Sequence, residues 1–129
     1  MLEKLDTIRM AQALTGHAAQ RARIVAGNVA NADTPGFRAR DARPFAETYR
    51  HSGAVLMRAT RPGHLAAMPA ATATARLRED EGGRAPNGNS VSLEAEMVKS
   101  AEVKREHDLS VAIYKSALGL MRSAAGRRG

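Results

Sequence analysis

The sequence predicts a mainly α protein. A long N-terminal helix and a long C-terminal helix pair in a coiled-coil-like bundle, joined by an irregular or short-stranded middle. Three observations predict it. Apolar residues recur at steps of three and four over residues 2–32, and again from Ser92 onward. Between these stretches Pro44, Pro62, Pro69 and Pro86 break any long helix. The division expected is therefore an N-terminal helix over 1–33, a turn and extended middle over 34–90, and a C-terminal helix with a short basic tail over 91–129, all in one structural unit.

The first helix carries a narrow stripe of Leu14, Ala18, Ala22, Val25, Val29 and Ala32, which Leu5, Ile8 and Ala11 extend toward the N-terminus. Alanine in such a seam lets another helix approach closely. The helix exits through the run NVANADTPGFRARD. Asn28 and Asn31 are three apart, so their amides share one side of the helix. Asn31 suits a left-handed C-terminal cap. Thr34 before proline is biased to extended backbone, and Pro35-Gly36 fits the centre of a type II turn. Phe37 follows, free to fold back or to enter a partner. The residue types fit both a plain helix cap and an assembly contact formed by Asn28, Asn31, Thr34, Pro35, Gly36 and Phe37.

In the middle, Glu79-Asp80-Glu81-Gly82-Gly83 reads as a flexible acidic stretch, and Ala54-Val55-Leu56-Met57 suits a strand. Pro86-Asn87-Gly88-Asn89 is turn chemistry, and Ser92 is a good N-cap for the last helix. There the stripe expected to meet the first helix runs through Leu93, Met97, Ala101, Lys104, Asp108, Val111, Lys115, Leu118 and Arg122. The seam between the two helices is thus expected at Leu14, Ala18, Val25 and Val29 against Leu93, Met97, Ala101, Val111 and Leu118.

Composition limits what this unit does alone. Leu, Ile, Val and Phe supply only 22 of 129 residues, against 26 alanines. That share lies below the roughly 20% at which a charged chain holds its own core. A marginal monomer that takes apolar surface from partners is expected. The net charge of +7 is spread evenly along the chain, with no basic arm or aromatic interleaving. A small basic nucleic-acid binder is the alternative reading, and a peripheral membrane helix a further one. The chain has no cysteine, no run of about 18 apolar residues and no secretory-type apolar core near its N-terminus. His17, His51, His64 and His107 lack metal-ligand spacing, the acidic pairs sit in a loop or a helix start, and no glycine pattern cradles phosphate. No catalytic, metal or cofactor residue is expected.

The run Ala26-x-Asn28-x-Ala30-Asn31-Ala32-Asp33-Thr34-Pro35-Gly36-Phe37 resembles the N-terminal signature of bacterial flagellar rod, hook and hook-associated proteins. Within that family three further segments are similar to proximal-rod members: Arg38-Ala39-Arg40-Asp41, Thr60-Arg61-Pro62-Gly63-His64-Leu65, and Asn87 to Glu94. Ser92 departs from the aspartate usual there, and the polar stretch Val103 to Asp108 from the commoner pattern. The resemblance implies a non-enzymatic axial subunit of the flagellar basal body, in a torque-transmitting tube that spans the periplasm. It implies export through the flagellar type III apparatus without a cleaved signal, no cofactor, and contact with copies of itself, with rod proteins such as FlgC and with the FliE adaptor.

Overall fold

The computed structural model describes residues 2–52, 77–80 and 82–126 of the chain. Helix α1 spans Leu2–Ala30, strand β1 Arg40–Ala42, helix α2 Phe45–Ser52, strand β2 Leu77–Glu79 and helix α3 Leu93–Gly126. The strand expected at Ala54 to Met57 and the Thr60 to Leu65 segment lie outside the described residues. No helix among the described residues is long and apolar enough to cross a membrane.

Each helix begins where local chemistry allows it. Glu3 in the first turn of α1 and Glu94 and Glu96 in that of α3 face the positive end of the helix dipole. The Ser92 carbonyl accepts the Glu96 amide at 2.9 Å while its hydroxyl faces the Ala95 amide at 3.4 Å. Helix α2 begins just after Pro44, whose carbonyl accepts the amides of Glu47 and Thr48. This short helix falls in the stretch expected to be irregular, because Pro44 starts a helix there instead of ending one. Phe45 then lies edge-on to His17, ring centres 5.6 Å apart.

α1 and α3 pack along each other with opposite chain directions, as the cross-helix pairs Asn28–Glu96 and Thr15–Ser110 require. β1 and β2 form a two-stranded antiparallel sheet with Arg40 opposite Glu79 and Ala42 opposite Leu77. β1 lies against α1. Small residues make the close approaches possible. Among the described residues the buried apolar side chains are Ala11, Ala13, Ala18, Val25, Ala39, Ala42, Val103 and Ala117, six of them alanine. At about 25 cal/mol per Å² of apolar surface, a core of methyl groups stabilises little.

The seam follows the apolar pattern only in part. On α3 the buried positions are Glu96, Val103, Ser110 and Ala117, a strict spacing of seven. Of the expected seam, Leu93, Met97 and Ala101 are exposed, Met97 by 73%. Val111 and Leu118 are half-buried. On α1 Ala18 and Val25 are buried and Leu14 half-buried, whereas Ala22 and Val29 face out and Arg21 and Asn28 turn inward. The reason is polar: inward groups on α1 have charged or amide partners on α3 and β1, and these bonds set the rotation of both helices.

Candidate functional site

The helix exit is built by two turns from distant parts of the chain. Thr34 to Phe37 closes through the Phe37 amide on the Thr34 carbonyl at 3.2 Å, with Gly36 at φ 72°. Gly88, at φ 81°, lies against it, and a Cβ there would stand 3.4 Å from the Gly36 Cα. The Gly36 amide donates to the Asn87 carbonyl at 3.0 Å and the Ser90 amide to that of Phe37 at 3.0 Å. Both positions demand glycine, since only it adopts positive φ without strain.

Asn89 closes the join. Its Nδ2 faces the carbonyls of Asn31, Ala32 and Thr34 at 2.8–2.9 Å. Its Oδ1 accepts the Val91 amide at 2.7 Å. The carbonyls of the turn that follows α1 are thus held by an amide 55 to 58 residues away. No described non-glycine residue has positive φ, so Asn31 is not the left-handed cap its type suggested. Its amide turns back to the Gly27 carbonyl at 2.8 Å, and its oxygen accepts the Thr34 hydroxyl at 3.2 Å.

Asn28 is 2% exposed and every bond it offers is used within the chain. Its Nδ2 donates to the Arg40 carbonyl at 2.6 Å and to Glu96 Oε2 at 3.0 Å. Its Oδ1 accepts the Arg40 amide at 3.1 Å. Buried, with both amide hydrogens donated inside the chain, Asn28 holds β1 and α3 to α1. Glu96, 1% exposed, takes Lys99 Nζ on its other oxygen at 2.8 Å, and Lys99 also binds Asp80. The segment read as a flexible acidic loop is therefore tied down: Glu79 lies in β2 and Asp80 is clamped by α3. Of that segment, Glu81 lies outside the described residues.

A second knot lies further along the pair. Arg21 forks onto Asp41, Nε to Oδ1 at 3.0 Å and Nη2 to Oδ2 at 3.1 Å, and reaches Glu106 and Glu102 on α3 at 3.1 and 3.2 Å. The hydrogen bond to Asp41 raises the Arg21 pKa above its ordinary value. Burial by itself would raise the Asp41 carboxyl. The guanidinium and the Ala42 amide outweigh burial and hold it below the ordinary 3.8. Burial would likewise lower Lys99, but its hydrogen bonds to Asp80 and Glu96 raise it. The paired charges tie α1, α3, β1 and the end of β2 together. His17 does the same, with Nε2 on the Arg43 carbonyl at 2.8 Å.

Thr34, Pro35 and Gly36 are exposed at the tip of the exit, with Phe37 half-buried beside them. The residues that sequence reasoning missed are Arg21, Asp41, Asn89, Glu96 and Lys99. One signal for Glu96 was available: its spacing of seven from Val103 matches that of Ser110 and Ala117, at a polar residue type.

A helix pair whose inward polar groups mostly tie its own elements together, with an exposed turn at one end, has the make of an assembly subunit. Comparison with known proteins specifies which. Residues 12–38 match the family model of flagella basal body rod proteins. The chain is 41% identical to the flagellar basal body rod protein FlgB of Agrobacterium fabrum, over 74% of this chain and 75% of that one. It is 30% identical to the FlgB of Salmonella typhimurium over 98% and 99%, and 31% to that of Escherichia coli over 94% and 95%. The chain belongs to the FlgB family of flagellar basal body rod proteins. It is a structural subunit of the rod, located in the basal body, and assembles with other axial components. This is a family of structural proteins, not enzymes, and nothing in it supports the nucleic-acid reading.

Proposed function

We propose that the subunit is a wall element of the proximal rod, in which the α1–α3 pair tiles the tube and the exposed turn Thr34-Pro35-Gly36 with Phe37 meets an adjacent axial subunit. Asn28 and Asn31 give that turn its shape from behind. The observation that carries this reading is the exit itself: its inner polar groups are saturated while its tip is left bare. A rigid, pre-organised tip loses little entropy on docking. The adjacent axial proteins are FlgC on one side and the FliE adaptor on the other, and the tube crosses the periplasm and transmits torque.

Residues 1–33, 34–90 and 91–129 act as one folding unit with three tasks: rod helix, turn and connecting segment, and mate helix. A core of alanines suits passage through the flagellar type III apparatus in a loosely folded state, without a cleaved signal, followed by folding on arrival. Of the seam residues, Leu14, Ala18, Val25, Val111 and Leu118 serve the pairing. Val29, Leu93, Met97 and Ala101 serve contacts outside it.

The test separates the tip from the seam. Pro35→Glu leaves the helicity of the purified chain unchanged by circular dichroism and lowers its incorporation into basal bodies and motility. Val25→Asp or Leu118→Asp puts an unpaired charge into the pair and removes both fold and assembly. Normal rods and swimming in all three variants reject the reading.

A further inference from the structure

The helix pair has one covered side, on which β1 and α2 pack, and one bare side, where Met97 stands exposed. The covering elements hold a recess of their own. Arg38, Arg43, Arg78 and Arg84 line a polar cleft of about 550 Å³, together with Glu79 and Asp80. The fold gathers these arginines from separate segments. Arg38 follows the exit turn, Arg43 follows β1, Arg78 lies in β2, and Arg84 precedes the turn that the Ala85 amide closes on the Asn89 carbonyl at 2.8 Å. Their frame is braced. The Asp80 amide donates to the Ala39 carbonyl at 3.0 Å, and the Ala39 amide to Ser90 Oγ at 2.8 Å.

Charge in the cleft does not balance. Asp80 is held by Lys99. Asp41 is spent on the fork from Arg21, and Arg78 reaches it only at 4.0 Å. Glu79 takes Arg38 at 3.1 Å, and Glu47 stands 3.8 Å from Arg43. Arg84 has no ion pair among the described residues. Arg38, Arg43 and Arg78 are 52–54% exposed, so their pairs are of the screened kind that contributes little and exchanges readily. The chain does not supply the missing charge. Residues 53–76, which join α2 to β2, contain no aspartate or glutamate. With Glu81 counted, which lies outside the described residues, four arginines still face three acids, one of them taken by Lys99.

We propose that this cleft receives an acidic segment of a different basal-body protein, whose Asp or Glu side chains become the partners of Arg43, Arg78 and Arg84. The proposal rests on the rod-subunit reading and specifies one of its contacts. Three features fit this occupant. A guanidinium fork matches a carboxylate two hydrogen bonds at a time. Glu79 and Asp80 stand among the arginines and repel a dense anionic surface, whereas single carboxylates on a peptide fit between them. The cleft also adjoins the exposed tip: Arg38 directly follows Phe37, whose carbonyl accepts the Ser90 amide at 3.0 Å. A subunit seated on Thr34 to Gly36 therefore lies beside the arginines. A second copy fits poorly. The one run of adjacent acids in the chain, Glu79-Asp80-Glu81, begins in the cleft itself, and the chain carries +7 overall.

Arg78→Lys and Arg84→Lys keep the charge and add an amine. Basal bodies are isolated from flagellated cells carrying either variant in place of the native subunit, then treated with a water-soluble carbodiimide. The reagent activates a carboxylate touching the amine. An amide bond forms, the amine loses a proton, and the carboxylate oxygen leaves with the reagent as a urea. Mass spectrometry identifies the linked peptides. The expected product joins position 78 or 84 to an aspartate or glutamate of a different protein. Basal bodies that contain the variants but show no link, a link confined to this chain's own acids, or a link between two copies overturn the proposal. Absence of the unvaried chain from basal bodies would instead reject the rod-subunit reading itself. As a second measure, Arg84→Glu lowers incorporation at least tenfold with helicity unchanged, and exchanging the linked acid of the other protein for lysine restores it. Normal incorporation of Arg84→Glu, or no restoration, overturns the proposal. So does retention of the purified chain on phosphatidylglycerol vesicles that Arg84→Glu abolishes, which assigns the cleft to lipid headgroups.

Discussion

The two ends of the helix pair are held by different chemistry. At the exit end buried Asn28 and Glu96 link through Lys99 to Asp80 in a chain of directional bonds, with Asn89 holding the turn after α1 beside it. Toward the other end the buried side chains are mainly Ala11, Ala13, Ala18 and Ala117, with His17 against the Arg43 carbonyl and the Thr15–Ser110 hydroxyl pair at 2.8 Å as the polar contacts. Directional bonds specify one register, because a slide of one residue would strand a buried amide and a carboxylate. Methyl contacts tolerate a slide at little cost. The exit end therefore decides how the helices align, and the alanine end follows.

Substitutions separate the two. Glu96→Ala gives the largest effect, a loss of about 2–3 kcal/mol, since it removes one of the two carboxylates on Lys99 and one of the two acceptors of the Asn28 amide. Urea unfolding followed by circular dichroism measures it. A loss below about 1 kcal/mol would dissolve the contrast. Asn89→Ala comes next, at about 1–3 kcal/mol, for the carbonyls of Asn31, Ala32 and Thr34 lose their donor. Hydrogen exchange should quicken first near the end of α1.

Acid acts more gently, on the knot of Arg21 and Asp41 further along the pair. Asp41 is held below its ordinary 3.8, so its contribution is fully present above that pH and is lost as pH falls through the folded value. Lys99 is raised above 10.5, so its contribution is present below that pH and is lost as pH climbs through the folded value. Unfolding midpoints should be flat between about pH 5 and 9 and fall on both sides. Arg21→Met should remove most of the acid limb. At the alanine end Ala117→Gly costs about 1 kcal/mol, mainly helix propensity. Met97→Gln, on the bare side, changes monomer stability by less than about 0.5 kcal/mol. A larger loss would mean that Met97 helps hold the pair together.

Much of this architecture is legible in the amino-acid order. Periodicity and proline placement locate both long helices. Ser92 and Glu94 mark the start of α3, and Thr34 to Gly36 mark the turn after α1. Sites are harder to read. Asn28 and Asn31 stand out as special, yet their partners, Arg40, Glu96 and Asn89, lie 12 to 68 residues away. Helix α2 escapes a sequence reading because Pro44 has the look of a breaker, whereas it sits at a helix start.

The sequence by itself determined that two helices form, where each begins, and that neither has much apolar surface to bury. Local bonding and side-chain type set those properties, and both act within a few residues. Tertiary structure alone decided which faces meet. Period-3.6 patterns in a chain this rich in alanine admit several rotations of each helix. Arg21, Asn28 and Glu96 select one, because buried polar groups tolerate only the alignment that pairs them. That choice turns Val29, Met97 and Leu109 outward, where the rod's other subunits can cover them.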